Sequence, residues 1–245
     1  MKIVKHNLFL LLKSYKILIE MATMIPVVFF VMYATIRDLI TNSLFGTSLL
    51  SVRITFHGVG IALMLATVAL FSDVILQEIL INEKRSRRIE LLLANGVHLN
   101  DIWIGISISA FILNCMVLFL CAFSMLVPLV IFKIKISSMF NLESLLLWVV
   151  LLPVLVLAFS FLISEIGLII RRIEIINATL KASVFIIVFG GTYVFKYVSN
   201  VIQGGGNAIT GMLFLYIFIM FIILSLLFFL KKRLTKRNIT LSIPD

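Results

Sequence analysis

The sequence predicts an all-α, polytopic membrane protein. It reads as a single domain of six transmembrane helices, with an N-terminal interfacial helix and a short helix between spans two and three. Three observations predict this. Of 245 residues, 62% are hydrophobic and 13% charged, where a soluble domain is about half apolar and about a quarter charged. Six apolar stretches approach or exceed the ~20 residues that carry a helix across the hydrocarbon core. The basic residues cluster outside those stretches and mainly in alternate connections. The longest polar stretch is the fifteen residues after Leu230, so no separate soluble catalytic domain fits.

Taken in order, residues 1–16 place Lys2, Lys5, His6, Lys13 and Lys16 on one helical face, with Ile3, Leu8, Leu11, Leu12 and Tyr15 elsewhere. That pattern suits a helix lying in the headgroup boundary, although the same lysines also read as simple topogenic charge. They are interleaved with apolar residues, unlike the compact charged start and apolar run of a cleavable signal. Span one is 17–36, with Glu20 near its start and Pro26 inside. Span two is 55–81. Span three, 102–132, has 31 residues without a charge, which predicts tilt, a bend near Pro128 or a protruding turn. Span four is 144–170, with Pro153 inside and Glu165 as its one charge. Span five, 175–199, is bracketed by Lys181 and Lys196, which must snorkel or line a cavity. Span six, 211–230, is uncharged.

Six spans put both ends on one side. The N-terminal residues, the second and fourth connections with Lys181, and the tail hold sixteen of the 21 Lys and Arg. Arg37, Arg53, Lys133, Lys135 and Lys196 fall on the other side. The positive-inside rule then puts both termini in the cytosol. Asn177-Ala-Thr and Asn238-Ile-Thr match the glycosylation acceptor pattern but fall on the cytosolic side in this topology, so they read as chance matches.

The net charge of +10 follows from this topogenic bias. Without aromatic residues interleaved in a basic patch, nucleic acid is not an expected partner. Cys115 and Cys121 are six residues apart in one span, about 9 Å along a helix axis, and cannot bridge there; they read as packing residues, and no metal set accompanies them. Only His6, His57 and His98 are present, no H-E-x-x-H occurs, and Asp73 is the one aspartate inside a span. Intramembrane hydrolysis needs more than this, so no enzyme is expected. No G-x-x-x-x-G-K-[ST] loop occurs, so the chain does not hold nucleotide phosphates in that way. Gly204, Gly205 and Gly206 lack the lysine and read as a turn between spans five and six.

The connection 82–97 is the most chemically distinct segment. Lys84, Arg85, Arg87 and Arg88 precede Glu90 and three leucines, and Asn95-Gly96 then closes a short helix. Asn100-Asp101 is expected to cap span three. Ile89, Leu92 and Leu93 share one face at i, i+3 and i+4. Basic residues at a helix start oppose its dipole, which suggests lipid phosphate or an acidic partner nearby, although the segment also reads as a solvated topogenic loop.

The run from Glu83 to Val97, EKRSRRIELLLANGV, resembles the signature of ABC-2 type transporter permeases. In that family an acidic-basic start leads into Gly-Thr-Leu-Glu, two leucines, a small residue and Pro-Val. Glu83, Ile89, Glu90, Leu91, Leu92, Ala94 and Val97 match closely or conservatively; Arg87 and Arg88 stand in place of Gly-Thr, and Gly96 in place of Pro. The likeness in organisation covers nearly the whole chain. It implies a six-span permease subunit of a bacterial plasma-membrane exporter, paired with a second permease copy (the same chain or a related one) and resting on a separate ATP-binding cassette subunit. That subunit would bind ATP and Mg, and this chain would need no cofactor. Residues 82–97 would be the coupling helix, with Glu83, Arg87, Arg88, Ile89, Glu90, Leu92, Leu93 and Gly96 at the contact. The implied cargo is amphipathic, a peptide or antimicrobial first, with a drug, a lipid-linked glycan or haem as alternatives. A non-transporting immunity or scaffold protein is the other class that fits. The family's gating helices between spans five and six have little room in 197–210.

Asp73, Glu78 and Glu165 fall in the inner halves of spans two and four, where an acid facing lipid costs ~2.5 kcal/mol or more. Lys181 is expected to be the counter-ion of Glu165. These four residues read either as interhelical pairing that fixes the bundle or as a polar vestibule for a cationic or amphipathic cargo.

Overall fold

The computed structural model describes residues 2–42, 49–76, 78–79, 87–169 and 208–231. Among these the secondary structure is helical, without strands. The elements are α1 (Lys2–Lys13), α2 (Tyr15–Asn42), α3 (Leu49–Leu76), α4 (Arg88–Ala94), α5 (Leu99–Ile131), α6 (Ile136–Met139), α7 (Leu142–Leu145), a π-helical turn (Leu146–Leu151), α8 (Leu152–Ile169) and α9 (Ala208–Lys231). Four stretches are long and apolar enough to cross a membrane: Tyr15–Asp38, Phe56–Ile75, Leu99–Ile131 and Leu142–Ile169. They correspond to expected spans one to four. The expected sixth span falls within α9. Span five, with Lys181 and Lys196, lies outside the described residues, as does Glu83.

The helix ends differ from expectation where polar residues continue a helix beyond its apolar part. α2 runs on through Arg37 and Asp38 to Asn42, and α3 begins at Leu49, four residues before Arg53. A helix that satisfies its own backbone has no reason to stop where the bilayer does. The expected Asn100-Asp101 cap is displaced: His98 is the N-cap, without a side-chain bond, and Asp101 instead sits in the first turn of α5, where its charge complements the dipole.

α5 is the central helix. It packs against α1, α2, α3 and α8, and Leu113, Asn114, Cys121, Met125 and Leu129 are fully buried along it. Cys121 is thus a packing residue, and Cys115 and Cys121 are both free thiols. Of the Phe56–Ile75 window of α3, 72% is inside the protein, against 17% of Tyr15–Asp38. So α3 is an interior helix and α2 a peripheral one. α1 buries Asn7 and Leu11 and packs against the start of α5. There Gly105 leaves room for Ile3, whose side chain a Cβ would meet.

The fourth expected span is interrupted. Four residues of α-helix are followed by the π-turn Leu146–Leu151 and then α8. Pro153 has no N–H for the carbonyl four residues back, and its ring crowds that carbonyl. A wider turn just before it relieves the clash. α7 itself starts on a reciprocal cap: Ser144 N–H donates to Asn141 Oδ1 at 2.9 Å and Asn141 N–H to Ser144 Oγ at 2.8 Å.

Candidate functional site

Functional side chains gather at three levels: the end of the bundle that carries α1 and α4 (the basic end), the middle, and the opposite, far end. At the basic end α4 is only seven residues long. Arg87 precedes it at φ 53°, a left-handed backbone that costs a non-glycine residue about 1 kcal/mol or more. Gly96 follows it at φ +81°, and Val97 N–H donates to Leu92 O at 3.0 Å while Gly96 N–H donates to Leu93 O at 3.2 Å. That is the glycine closure read from Asn95-Gly96. Both ends of α4 are therefore sharp. The described helix thus begins at Arg88, and residues 82–86 of the expected coupling segment lie outside the described residues.

Ile89 is buried, while Leu92 and Leu93 pack half-buried against the core. The apolar face expected to meet a partner is thus turned into the protein. The side chains left outward are Arg87, Leu91 at 59% exposure, Ala94 and Asn95; Glu90 is half-buried. Leu91 is a contact candidate that the i, i+3, i+4 reading passed over. Arg88 Nη1–H donates to His6 Nε2, which ties α4 to α1. At the start of α2, Lys16 Nζ lies 3.3 Å from Glu78 Oε1.

Between α2 and α3, just inside this end, lies an open groove of about 350 Å³ lined by Lys16, Ile19, Glu20, Met24, Leu70, Asp73 and Val74. Asp73 is 4% exposed. Asp73 and Glu78 therefore belong to one region, the inner end of the α2–α3 pair. Glu165 does not join them. It is fully buried on α8, and among the described residues neither carboxylate oxygen meets a hydrogen-bond donor. The cation whose field reaches it is Lys231, at the end of α9. Lys231 Nζ also stands 5.8 Å from the Trp103 ring centroid, and Trp103 Nε1–H donates to Phe161 O at 3.4 Å. The expected counter-ion Lys181 lies outside the described residues.

The middle of the bundle holds a polar staple that sequence reading missed. Asn114 Nδ2 on α5 donates to Ser72 Oγ on α3 at 2.9 Å and to Ser160 Oγ on α8 at 3.1 Å. All three are buried. Asn114 is one polar residue in an apolar run, and the only signal was that an asparagine in mid-span needs partners.

At the far end His57 on α3 is 1% exposed. Its Nε2–H donates to the Met139 carbonyl at 2.7 Å, and its Nδ1 accepts from Trp148 Nε1–H at 3.0 Å. A carbonyl only accepts and an indole N–H only donates, so the ring is the neutral Nε2–H tautomer. Phe56 and Phe140 surround it, and Arg53 lies one turn earlier on α3.

No group of three or more metal-ligating side chains occurs among the described residues. No protein-family profile matches this chain, and neither curated proteins nor solved structures include one that resembles it significantly.

Proposed function

We propose that this chain is the membrane-spanning permease subunit of an ATP-binding cassette exporter. It moves an amphipathic substrate, a peptide or antimicrobial first, out of the cytoplasm or the inner leaflet. It sits in the bacterial plasma membrane with six spans and both termini cytosolic, paired with a second permease copy. Hydrolysis of ATP, with its Mg, takes place in a separate subunit.

The observation that carries this reading is α4. It is a short helix with two left-handed ends between two membrane-length helices, within the segment that resembles the permease signature. Its buried Ile89 and the Arg88–His6 bond fix it to the bundle. A push on its outward face is therefore passed to α1. A flexible connection would absorb such a push.

Co-expression with candidate ATP-binding subunits tests the reading. One of them should co-purify with the chain, and Leu91→Asp or Arg87→Glu should release it while the variant keeps its helical content. A folded chain that retains no ATP-binding subunit from any candidate overturns the permease reading and favours a non-transporting immunity or scaffold role.

A further inference from the structure

The α2–α3 groove has an ordered chemistry. On α2 its lining residues Lys16, Glu20 and Met24 recur at i, i+4 and i+8, one helical stripe about 12 Å long. On α3 Leu70, Asp73 and Val74 stand at i, i+3 and i+4. Lys16, Glu20 and Asp73 lie at the basic end. Met24 and Leu70 lie one to two turns deeper, toward the middle of the bilayer. A groove that is charged at its mouth and apolar below follows the profile of one bilayer leaflet.

The mouth carries both signs of charge. Lys16 is 71% exposed and reaches Glu78 at 3.3 Å. Glu20 makes no ion pair among the described residues. A simple cation would have Lys16 against it, and a simple anion would face Glu20 and Asp73. The charge pattern fits a headgroup with an ammonium and a phosphate side by side. The ammonium would lie against Glu20, beside the buried Asp73, the phosphate against Lys16, and an acyl chain would run along Ile19, Met24 and Leu70. At about 350 Å³, the groove is near the lower limit of small-molecule pockets. It holds a headgroup and the start of one chain, and it excludes a folded peptide.

We infer that this groove is a docking site for a zwitterionic aminophospholipid, of the phosphatidylethanolamine type, taken from the leaflet at the basic end. The site deepens the export reading by giving the lateral face of the bundle a resident lipid. It rests on that reading only for the side of the membrane, because binding requires neither ATP nor a partner subunit.

The test is native mass spectrometry of the purified full chain in detergent, titrated with phosphatidylethanolamine or phosphatidylglycerol. The expected result is retention of phosphatidylethanolamine over phosphatidylglycerol by about tenfold, the size of one charge-assisted hydrogen bond. Glu20→Gln should bring the two lipids level, and Lys16→Gln should weaken phosphatidylethanolamine. Glu143→Gln, at the far end on α7, should change neither. Met24→Trp fills the groove from its apolar part and should lose the lipid without altering a charge, which keeps the test open if Glu20→Gln does not fold. Equal retention of both lipids, or unchanged selectivity in Glu20→Gln or Met24→Trp, overturns the inference. So does displacement by dodecyltrimethylammonium that is insensitive to Lys16→Gln, which would make the groove a plain cation site. Such a failure leaves the permease reading intact, since that reading is decided by co-purification.

Discussion

Trp148→Phe removes one hydrogen-bond donor from the far end and keeps an aromatic ring in place. In the native protein the Trp148 indole N–H is 3.0 Å from His57 Nδ1, in a site where His57 is 1% exposed. Phe leaves that nitrogen without a donor, at a cost of about 1–3 kcal/mol for a buried acceptor. His57→Ala is worse. It strands the Trp148 N–H and the Met139 carbonyl together and opens a ring-sized space between Phe56 and Phe140, for about 3–5 kcal/mol. The informative quantity is the coupling between the two, because a polar contact among membrane helices averages about 0.6 and reaches about 1.7 kcal/mol. The expected coupling from a double-mutant cycle of Trp148→Phe and His57→Ala is about 1 kcal/mol. The assay is denaturant unfolding in mixed micelles followed by helical circular dichroism. A coupling below about 0.3 kcal/mol, the scatter of independent sites, would refute a direct bond and leave His57 and Trp148 as separate packing residues.

Arg87→Gly should stabilise the chain by about 0.5–1 kcal/mol in thermal unfolding, since glycine adopts φ 53° without a Cβ penalty, yet should weaken capture of an ATP-binding subunit. Gly60→Ala should cost about 1–3 kcal/mol, because a Cβ there runs into Met125 Cε and the Trp148 ring; a tolerated alanine would show that this contact yields. Asn114→Leu should change stability by no more than about 1 kcal/mol, whereas Asn114→Asp places an unpaired charge beside Ser72 and Ser160 and should cost about 3 kcal/mol or more. Glu165→Gln should lose less than about 0.5 kcal/mol, since among the described residues no hydrogen bond to the carboxylate is there to be broken; a larger loss in micelle unfolding would reveal an ion pair.

Sequence reading succeeded where one residue decides a local backbone. Gly96 closed α4 as its type requires, and the apolar runs gave four membrane-length helices because only helices or closed barrels satisfy a backbone in lipid. It failed where the cause was a distant partner. Nothing local tells that His57 meets a residue 91 positions away, or that Asn114 joins two serines 42 and 46 positions off. Pro153 was visible, but a proline permits a kink, a break or a wide turn, and the π-turn was not singled out. Periodicity found the face formed by Ile89, Leu92 and Leu93 without saying whether it turns inward or outward. Burial of Ile89 settles that it turns inward. For Glu165, the field of Lys231 reaches it through the fold, while the expected partner Lys181 lies outside the described residues.

The 33 residues of α5 make a rod of about 50 Å, well beyond the ~30 Å hydrocarbon core. Between Gly105 and Pro128 it contains neither glycine nor proline, so it has no joint at which to bend. Its neighbour, by contrast, begins with a π-turn and Pro153. One strut is stiff and the other is articulated. A tilt of one degree over the Gly105–Pro128 stretch displaces its Pro128 end by about 0.6 Å. The geometry therefore works as a lever whose arm is α5 and whose compliant bearing is the turn ahead of α8.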